Sequence, residues 1–323
     1  MIILYILLFI AVVLALAYFC CRAGFHVPKQ TETDLFRFPN SEQYAPYADE
    51  MVRMVRAALD IPYEDVWIRS HDGLRLHGKF YAANPDAPVQ IMFHGYKSGA
   101  ERDFCGGLQI AVRGGFNVLL VDQRAHGKSE GKYLTFGVKE RYDCLDWVNY
   151  AVGRFGNDAK IMLYGISMGA ATVLMAGGLK LPKNVVGIVA DCGYSSPSAI
   201  IRQVLRDHHC PLFPVYQLTR LGGILFAGFD LAGASATEAM EHCTVPVLFI
   251  HGGDDRFVPC RMSVENYEHC AAENKRLLIV PNAGHGISYL LDREAYLALG
   301  SGPRPLCMAR GKWQADKSAS PRL

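Results

Sequence analysis

An α/β chain built on a mostly parallel central sheet flanked by helices is what this sequence predicts, and three observations carry it. Short apolar runs recur along the chain: "PVQIMFHG", "FNVLLVDQR", "KIMLYGIS", "VVGIVADCG", "PVLFIHGGDD" and "RLLIVPNAGH". Each one leaves into a polar or glycine-rich loop, and helix-like segments such as 138–152 and 168–179 lie between them. The runs are continuously apolar, as strands buried on both faces are. Such strands alternating with helices mean a parallel sheet. A chain of 323 residues, 50% of them apolar, is long enough for one large core.

The elements before the sheet follow in order. Ile2 to Cys21 reads "IILYILLFIAVVLALAYFCC", uncharged and long enough to cross a bilayer core. A retained anchor over 1–21 is the expectation. A cleaved signal peptide is the alternative, because Ala15-Leu16-Ala17 resembles a cleavage site, although no Lys or Arg precedes the run. A buried core helix is the third reading. Arg22 and Lys29 follow the span and favour a cytoplasmic body, but two cations leave the side of the membrane open.

Residues 22–62 read as a stalk and a helix that packs on the main body. Ser41 is the expected N-cap, and Met51, Met54, Val55 and Leu59 fall at helical spacing. The α/β domain is expected over 63–299. It opens with a hairpin, "DVWIRSHDGLRLHGKFYAA", turning at Asp72-Gly73. Residues 197–240 break the strand-helix rhythm with prolines, the pair His208-His209 and bulky apolar clusters. An insert of this length is read as a small helical lid over the active face. "SYLLDREAYLAL" starts a closing helix that Gly300-Ser301-Gly302-Pro303 ends, and the tail 300–323 has no apolar period and is expected to be disordered.

Composition excludes several classes. The net charge is +2, with acids and bases interspersed, so no basic stripe points to nucleic acid. The ten cysteines form no CxxC pair, which leaves no zinc-cluster pattern and suits small buried thiols. No metal or cofactor site is expected.

The chemistry concentrates in "LYGISMGAAT". Gly165-Ile166-Ser167-Met168-Gly169 stands between a strand and a helix, which is the setting of a nucleophile elbow. A turn this tight holds the serine in a strained conformation with its oxygen above the sheet, and side chains at the flanking glycines would collide with backbone. The following helix points its free N–H groups at developing negative charge. A serine hydroxyl near neutral pH needs a base, and the base an orienting acid, in the chain order Ser, acid, His. "FIHGGDDRFVP" presents Asp254 and Asp255, and "VPNAGHGIS" presents His285, both at strand exits. His94 and His251, each opening a His-Gly pair, are read as structural.

These pieces together resemble the α/β-hydrolase superfamily, near the bacterial serine hydrolases of esterase and lipase type. The likeness spans 63–296 and rests on His94-Gly95-Tyr96, "DQRAHGKS" from Asp122, the elbow, His251-Gly252 to Pro259, and Gly284-His285-Gly286. The resemblance implies Ser167 as nucleophile, His285 as base, and Asp255 as acid, the fifth residue of H-G-x-x-D-x-x-V-P. Asp254 and Asp191 remain alternatives. It also implies an oxyanion hole from the N–H groups of Met168 and Tyr96, and an Arg124 that pairs locally. The expected function is hydrolysis of carboxylic esters through an acyl-enzyme, at a membrane. Peptidase, thioesterase, acyltransferase and non-catalytic scaffold are the competing readings. The partners expected are an acyl ester and, through the N-terminal helix, a lipid bilayer.

Overall fold

Each of the six short apolar runs is a strand in the computed structural model, which describes all residues except 30, 31, 40 and 301–323. The tail beyond residue 300 therefore lies outside the described residues. The strands are β1 (Glu64–Arg69), β2 (Arg75–Tyr81), β3 (Val89–Phe93), β4 (Asn117–Val121), β5 (Ile161–Ile166), β6 (Val185–Asp191), β7 (Val247–Gly252) and β8 (Lys275–Val280). They form one sheet in the order β1-β2-β4-β3-β5-β6-β7-β8. Strand β2 runs against both its neighbours, and the other pairings are parallel. The β1–β2 turn falls at Asp72-Gly73, where Gly73 takes φ +94°.

The helices are α1 (Ile2–Phe25), α2 (Ala48–Leu59), α3 (Ala100–Asp103), α4 (Cys105–Arg113), α5 (Glu140–Phe155), α6 (Met168–Gly177), α7 (Pro197–Asp207), α8 (Leu212–Gly222), α9 (Ala236–Met240), α10 (Arg261–His269), α11 (Ser288–Leu291) and α12 (Arg293–Gly300). Side chains alternate across the sheet with a period of two. Ile91, Leu119 and Leu163 face α5 and α6, where they meet Trp147, Val148 and Leu174. Met92, Leu120 and Val118 face α2 and α4, where they meet Val55, Ala58 and Leu108. Every residue of α6 is buried, and its alanines and glycines let it lie close against the sheet. The edge strand β8 is only half-buried along most of its length.

Strand β3 lies between β4 and β5, so the chain departs to one side of it and then to the other. Loops leaving β3 and β5 at their carboxyl ends diverge there. The crevice between them is the place where an open α/β sheet binds ligands.

Two expectations are corrected. Ser41 does not cap α2: its carbonyl closes a turn on the N–H groups of Tyr44 and Ala45, and α2 starts at Ala48. Pro46 explains the shift, since a helix running through it would lose a hydrogen bond and clash one turn back. The insert 197–240 contributes no lining residue to the cavity at Ser167 and is not the cover of the site. Its helix α8 packs against α1 instead, and α9 packs against α6 and α10. The reason lies in α1, whose last turns present Ala17, Cys21 and Phe25 as an apolar foot. A Cβ on Gly222 would come within 2.2 Å of the Ala17 carbonyl, so the two helices touch backbone to backbone. The residues that do cover the site are Phe38, Pro39, 41–45, Met51 and Met54.

Candidate active site

Ser167 joins β5 to α6 with φ +56° and ψ −115°, a conformation an L-residue holds only where its surroundings impose it. The two glycines of the elbow are forced. A Cβ at Gly165 would lie 2.2 Å from the Gly169 carbonyl oxygen, and one at Gly169 would lie 1.8 Å from that of Phe93. The turn is pinned by the Ser167 N–H, which donates to the Asp191 carbonyl at 2.8 Å. Ser167 is thereby presented, nearly buried, to a cavity of about 1040 Å³.

A line of hydrogen bonds leads away from its hydroxyl. Ser167 Oγ and His285 Nε2 are 2.9 Å apart, and His285 Nδ1 and Asp255 Oδ2 are 2.7 Å apart. Asp255 is fixed from its other side, where Oδ1 accepts from the Phe257 and Val258 N–H groups at 2.9 and 2.8 Å. His251 stands behind it with Nε2 3.1 Å from Oδ2. Burial opposes ionisation of Asp255, but the adjacent His285 and the hydrogen bonds from His251 and His285 hold its carboxyl below the usual range. Burial likewise opposes charging of His285. The Asp255 carboxylate, aided by the charges of Asp191 and Asp103, outweighs it, so the imidazole titrates above its ordinary value. The base-acid pair thus favours the imidazolium that forms when a hydroxyl proton is taken.

Of the three carboxylates weighed, Asp255 is the one that reaches His285. Asp254 is exposed, and its backbone N–H and carbonyl bond to the Ala283 carbonyl and to Gln43. Asp191 is buried at the end of β6, where it accepts from the Tyr296 hydroxyl at 2.9 Å, and Tyr296 in turn bonds Tyr164. Burial pushes its carboxyl up to about 6.

At the oxyanion side, Met168 is the first residue of α6, and the opening N–H groups of a helix have no partner within it. Gly95 runs beside Ser167, with a built Cβ 3.3 Å from the Ser167 Cβ, so the next amide, that of Tyr96, belongs to the loop alongside the hydroxyl. Asp103 steadies this loop by accepting from the Gly95 N–H at 2.7 Å and by bonding Ser98. The Tyr96 ring stacks on Phe136, and its hydroxyl donates to the Gly24 carbonyl at the end of α1. Arg124 pairs with Asp143 and Asp72. His94 is buried and bonded to Gln123 and Gly95.

The donor sets suit a metal poorly. Cys192 lies near Asp255 and His285, but burial drives its thiol well above its ordinary value, away from the thiolate a metal needs. Both ring nitrogens of His285 already face Asp255 and Ser167. In the group His71, Asp143 and Asp146, the Arg124 guanidinium holds both oxygens of Asp143.

Sequence reading did not foresee the cover of the cavity. Phe38, Tyr44, Met51 and Met54 line it from one side, and Tyr289 and Leu290 from another. The helical spacing of Met51 and Met54 was visible but reads equally as core packing. The Tyr44 hydroxyl donates to the His285 carbonyl at 2.6 Å, a contact across most of the chain that no local pattern announces.

Two family models match this chain in succession. One, described as alpha/beta hydrolase fold, covers residues 88–208. The other, described as serine aminopeptidase S33, covers 224–292. The chain has the α/β-hydrolase fold. Among relatives, the uncharacterized protein YqkD of Bacillus subtilis is 30% identical over 183 residues, 56% of this chain and 60% of that one, under two thirds of its length. The uncharacterized protein Rv2307c of Mycobacterium tuberculosis is 29% identical over 238 residues, 72% of this chain and 76% of that one. Among solved structures, a Pyrococcus furiosus esterase, Pf2001, matches with a TM-score of 0.58 and 25% identity, over 74% of this chain and 89% of its own.

Proposed function

We propose that this hydrolase cleaves carboxylic esters through a Ser167–His285–Asp255 triad, held at a membrane by α1. The observation that carries the reading is the unbroken hydrogen-bonded line from Ser167 to Asp255 at the mouth of a large apolar-lined cavity. The esterase among the structural neighbours supports the substrate class.

The chemistry follows from the geometry. Ser167 Oγ attacks the ester carbonyl as its proton passes to His285 Nε2, and the Asp255 carboxylate steadies the imidazolium. Negative charge gathers on the carbonyl oxygen, toward which the Met168 and Tyr96 N–H groups are assigned as donors. The tetrahedral intermediate collapses, the C–O bond to the alcohol breaks, and His285 returns the proton to the leaving oxygen. A water then gives its proton to His285 and attacks the acyl-serine, releasing the carboxylic acid. This route uses no metal and no organic cofactor.

The anchor reading rests on α1, the one helix among the described residues long and apolar enough to span a bilayer. Its foot is built into the domain, with Phe25 fully buried, which favours retention over cleavage. The match of residues 224–292 to a serine aminopeptidase model favours one second reading, cleavage of a peptide bond by the same triad.

A fluorophosphonate probe tests the serine mechanism. Labelling of the wild type, and none of Ser167→Ala, is expected; equal labelling of both would overturn it. Ester and aminoacyl-anilide substrates, compared side by side, separate esterase from peptidase.

A further inference from the structure

We propose that the end of α8 and the π turn that follows it, Gly223–Ala227, form a second membrane contact, seated in the outer hydrocarbon of the bilayer beside α1. The proposal rests on the reading of α1 as a membrane anchor.

The depth follows from the helix itself. The apolar run from Ile2 to Cys21 spans roughly 30 Å at about 1.5 Å per residue, the thickness of a bilayer core. Arg22 then marks the boundary with the headgroups. Tyr18 lies about 6 Å inside that boundary on the same rise. The ring of Phe226 meets the ring of Tyr18 edge to face, with centroids 5.2 Å apart. Gly222 rests on the Ala17 backbone, a further residue into the run. The tip of the insert therefore reaches below the level of Arg22.

Its surface suits that depth. Residues 222–228 read "GGILFAG", with no charge. Ile224 is 45% exposed and Leu225 51% exposed, on a turn that packs against α1. Adjacent large apolar side chains presented together mark a contact surface, and continuity with a bilayer-length helix selects lipid as the occupant. Cations stand near the foot of α1, at the level where phosphate groups would lie. Arg22 lies on the helix itself, the Lys97 ammonium donates to the Ala23 carbonyl, and the Lys139 ammonium lies near Gly228. An apolar tip below basic residues is the arrangement of an interfacial anchor, buried about 5–10 Å. Such a contact fixes the rotation of the domain on the membrane, which a single helix does not.

The test uses the full chain in nanodiscs of phosphatidylcholine with phosphatidylglycerol, in which bromines are carried at shallow or deep positions of the acyl chains. Leu225→Trp, Phe9→Trp and Lys183→Trp are compared by the emission each adds to the three native tryptophans. Melting temperature establishes folding, and Ile224→Trp stands in if Leu225→Trp does not fold. Added emission from Leu225→Trp is expected to fall at least twofold with shallow bromines and less with deep ones. Phe9→Trp should be quenched most by deep bromines, and Lys183→Trp by neither. If Phe9→Trp is quenched while Leu225→Trp behaves as Lys183→Trp does, the second contact is overturned, and the tip faces water or a protein. If neither is quenched, the anchor reading fails, and the proposal fails with it.

Discussion

The Tyr96 hydroxyl donates to the Gly24 carbonyl at 2.9 Å, and so joins the loop beside Ser167 to the last turn of α1. The next residue repeats the tie, with the Lys97 ammonium donating to the Ala23 carbonyl at 3.0 Å. A helix end has carbonyls without internal partners, and here side chains of the candidate oxyanion loop satisfy them. The N-terminal helix is thus part of the scaffold that sets the site.

Tyr96→Phe severs this tie and keeps the ring stack on Phe136. We expect a loss of about 1 kcal/mol of stability, the typical worth of one hydrogen bond. kcat should fall several-fold with little change in KM, because a loosened loop misplaces a donor needed in the transition state. Steady-state kinetics on one ester, with thermal melts in the same detergent, measure both. A rise in KM alone would mean that the loop binds substrate without holding the oxyanion.

The foot of α1 should matter more for folding than its outer turns. Phe25 is fully buried against Phe136 and Phe229, so Phe25→Ala is expected to cost about 3–5 kcal/mol. Removing residues 1–28 should cost more still, whereas deleting residues 2–10, all exposed, should leave the melting temperature unchanged. Chemical denaturation in one detergent compares them. A stable protein lacking 1–28 would show that α1 only rests on the domain.

Activity should rise with pH through the titration of His285, because only neutral imidazole accepts the serine proton. The Asp255 carboxylate raises that titration, so the acid limb of kcat/KM should lie above the ordinary imidazole value. Asp255→Asn should move the limb down as well as lower kcat by several orders of magnitude. A limb that stays in place would place the perturbing charge elsewhere. Stability carries the opposite sign for the imidazole. A raised folded value stabilises at low pH, and the gain is lost as pH rises through it. The depressed Asp255 carboxyl stabilises above its unfolded value, and that gain is lost on acidification.

Asp191 offers a control on the acid. It is bonded to Tyr296 rather than to His285. Asp191→Asn should therefore reduce kcat less than tenfold, far less than Asp255→Asn, measured on the same ester. A reversed order would move the acid to β6.

Much of this was legible in the sequence because its signals are local. Continuously apolar runs gave the strands from β3 to β8, and Asp72-Gly73 gave the hairpin. The glycines around Ser167 are dictated by backbone approach distances that any strand-to-helix elbow imposes. The order of strand exits brought His285 and the pair Asp254-Asp255 into view, and the resemblance, rather than the order, singled out Asp255. What stayed hidden depends on distant packing. Pro46 moved the start of α2, which local capping at Ser41 did not anticipate. The insert reads as a lid because it is long and breaks the strand-helix rhythm, but its helix α8 packs on α1, nearly 200 residues earlier. The cavity wall at Tyr44, Met51 and Met54 uses side chains whose spacing says only that one helix face is covered.

The most direct test of the central claim is hydrolysis of p-nitrophenyl esters, from short to long acyl chains, by the full chain in detergent, with Ser167→Ala alongside. Turnover by the wild type, lowered by several orders of magnitude in the folded Ser167→Ala protein, is the expected result. The acyl length turned over fastest would then measure the reach of the cavity between α2 and α11. Equal turnover by both proteins, or none by a folded wild type across the whole series, would contradict an ester-cleaving serine mechanism.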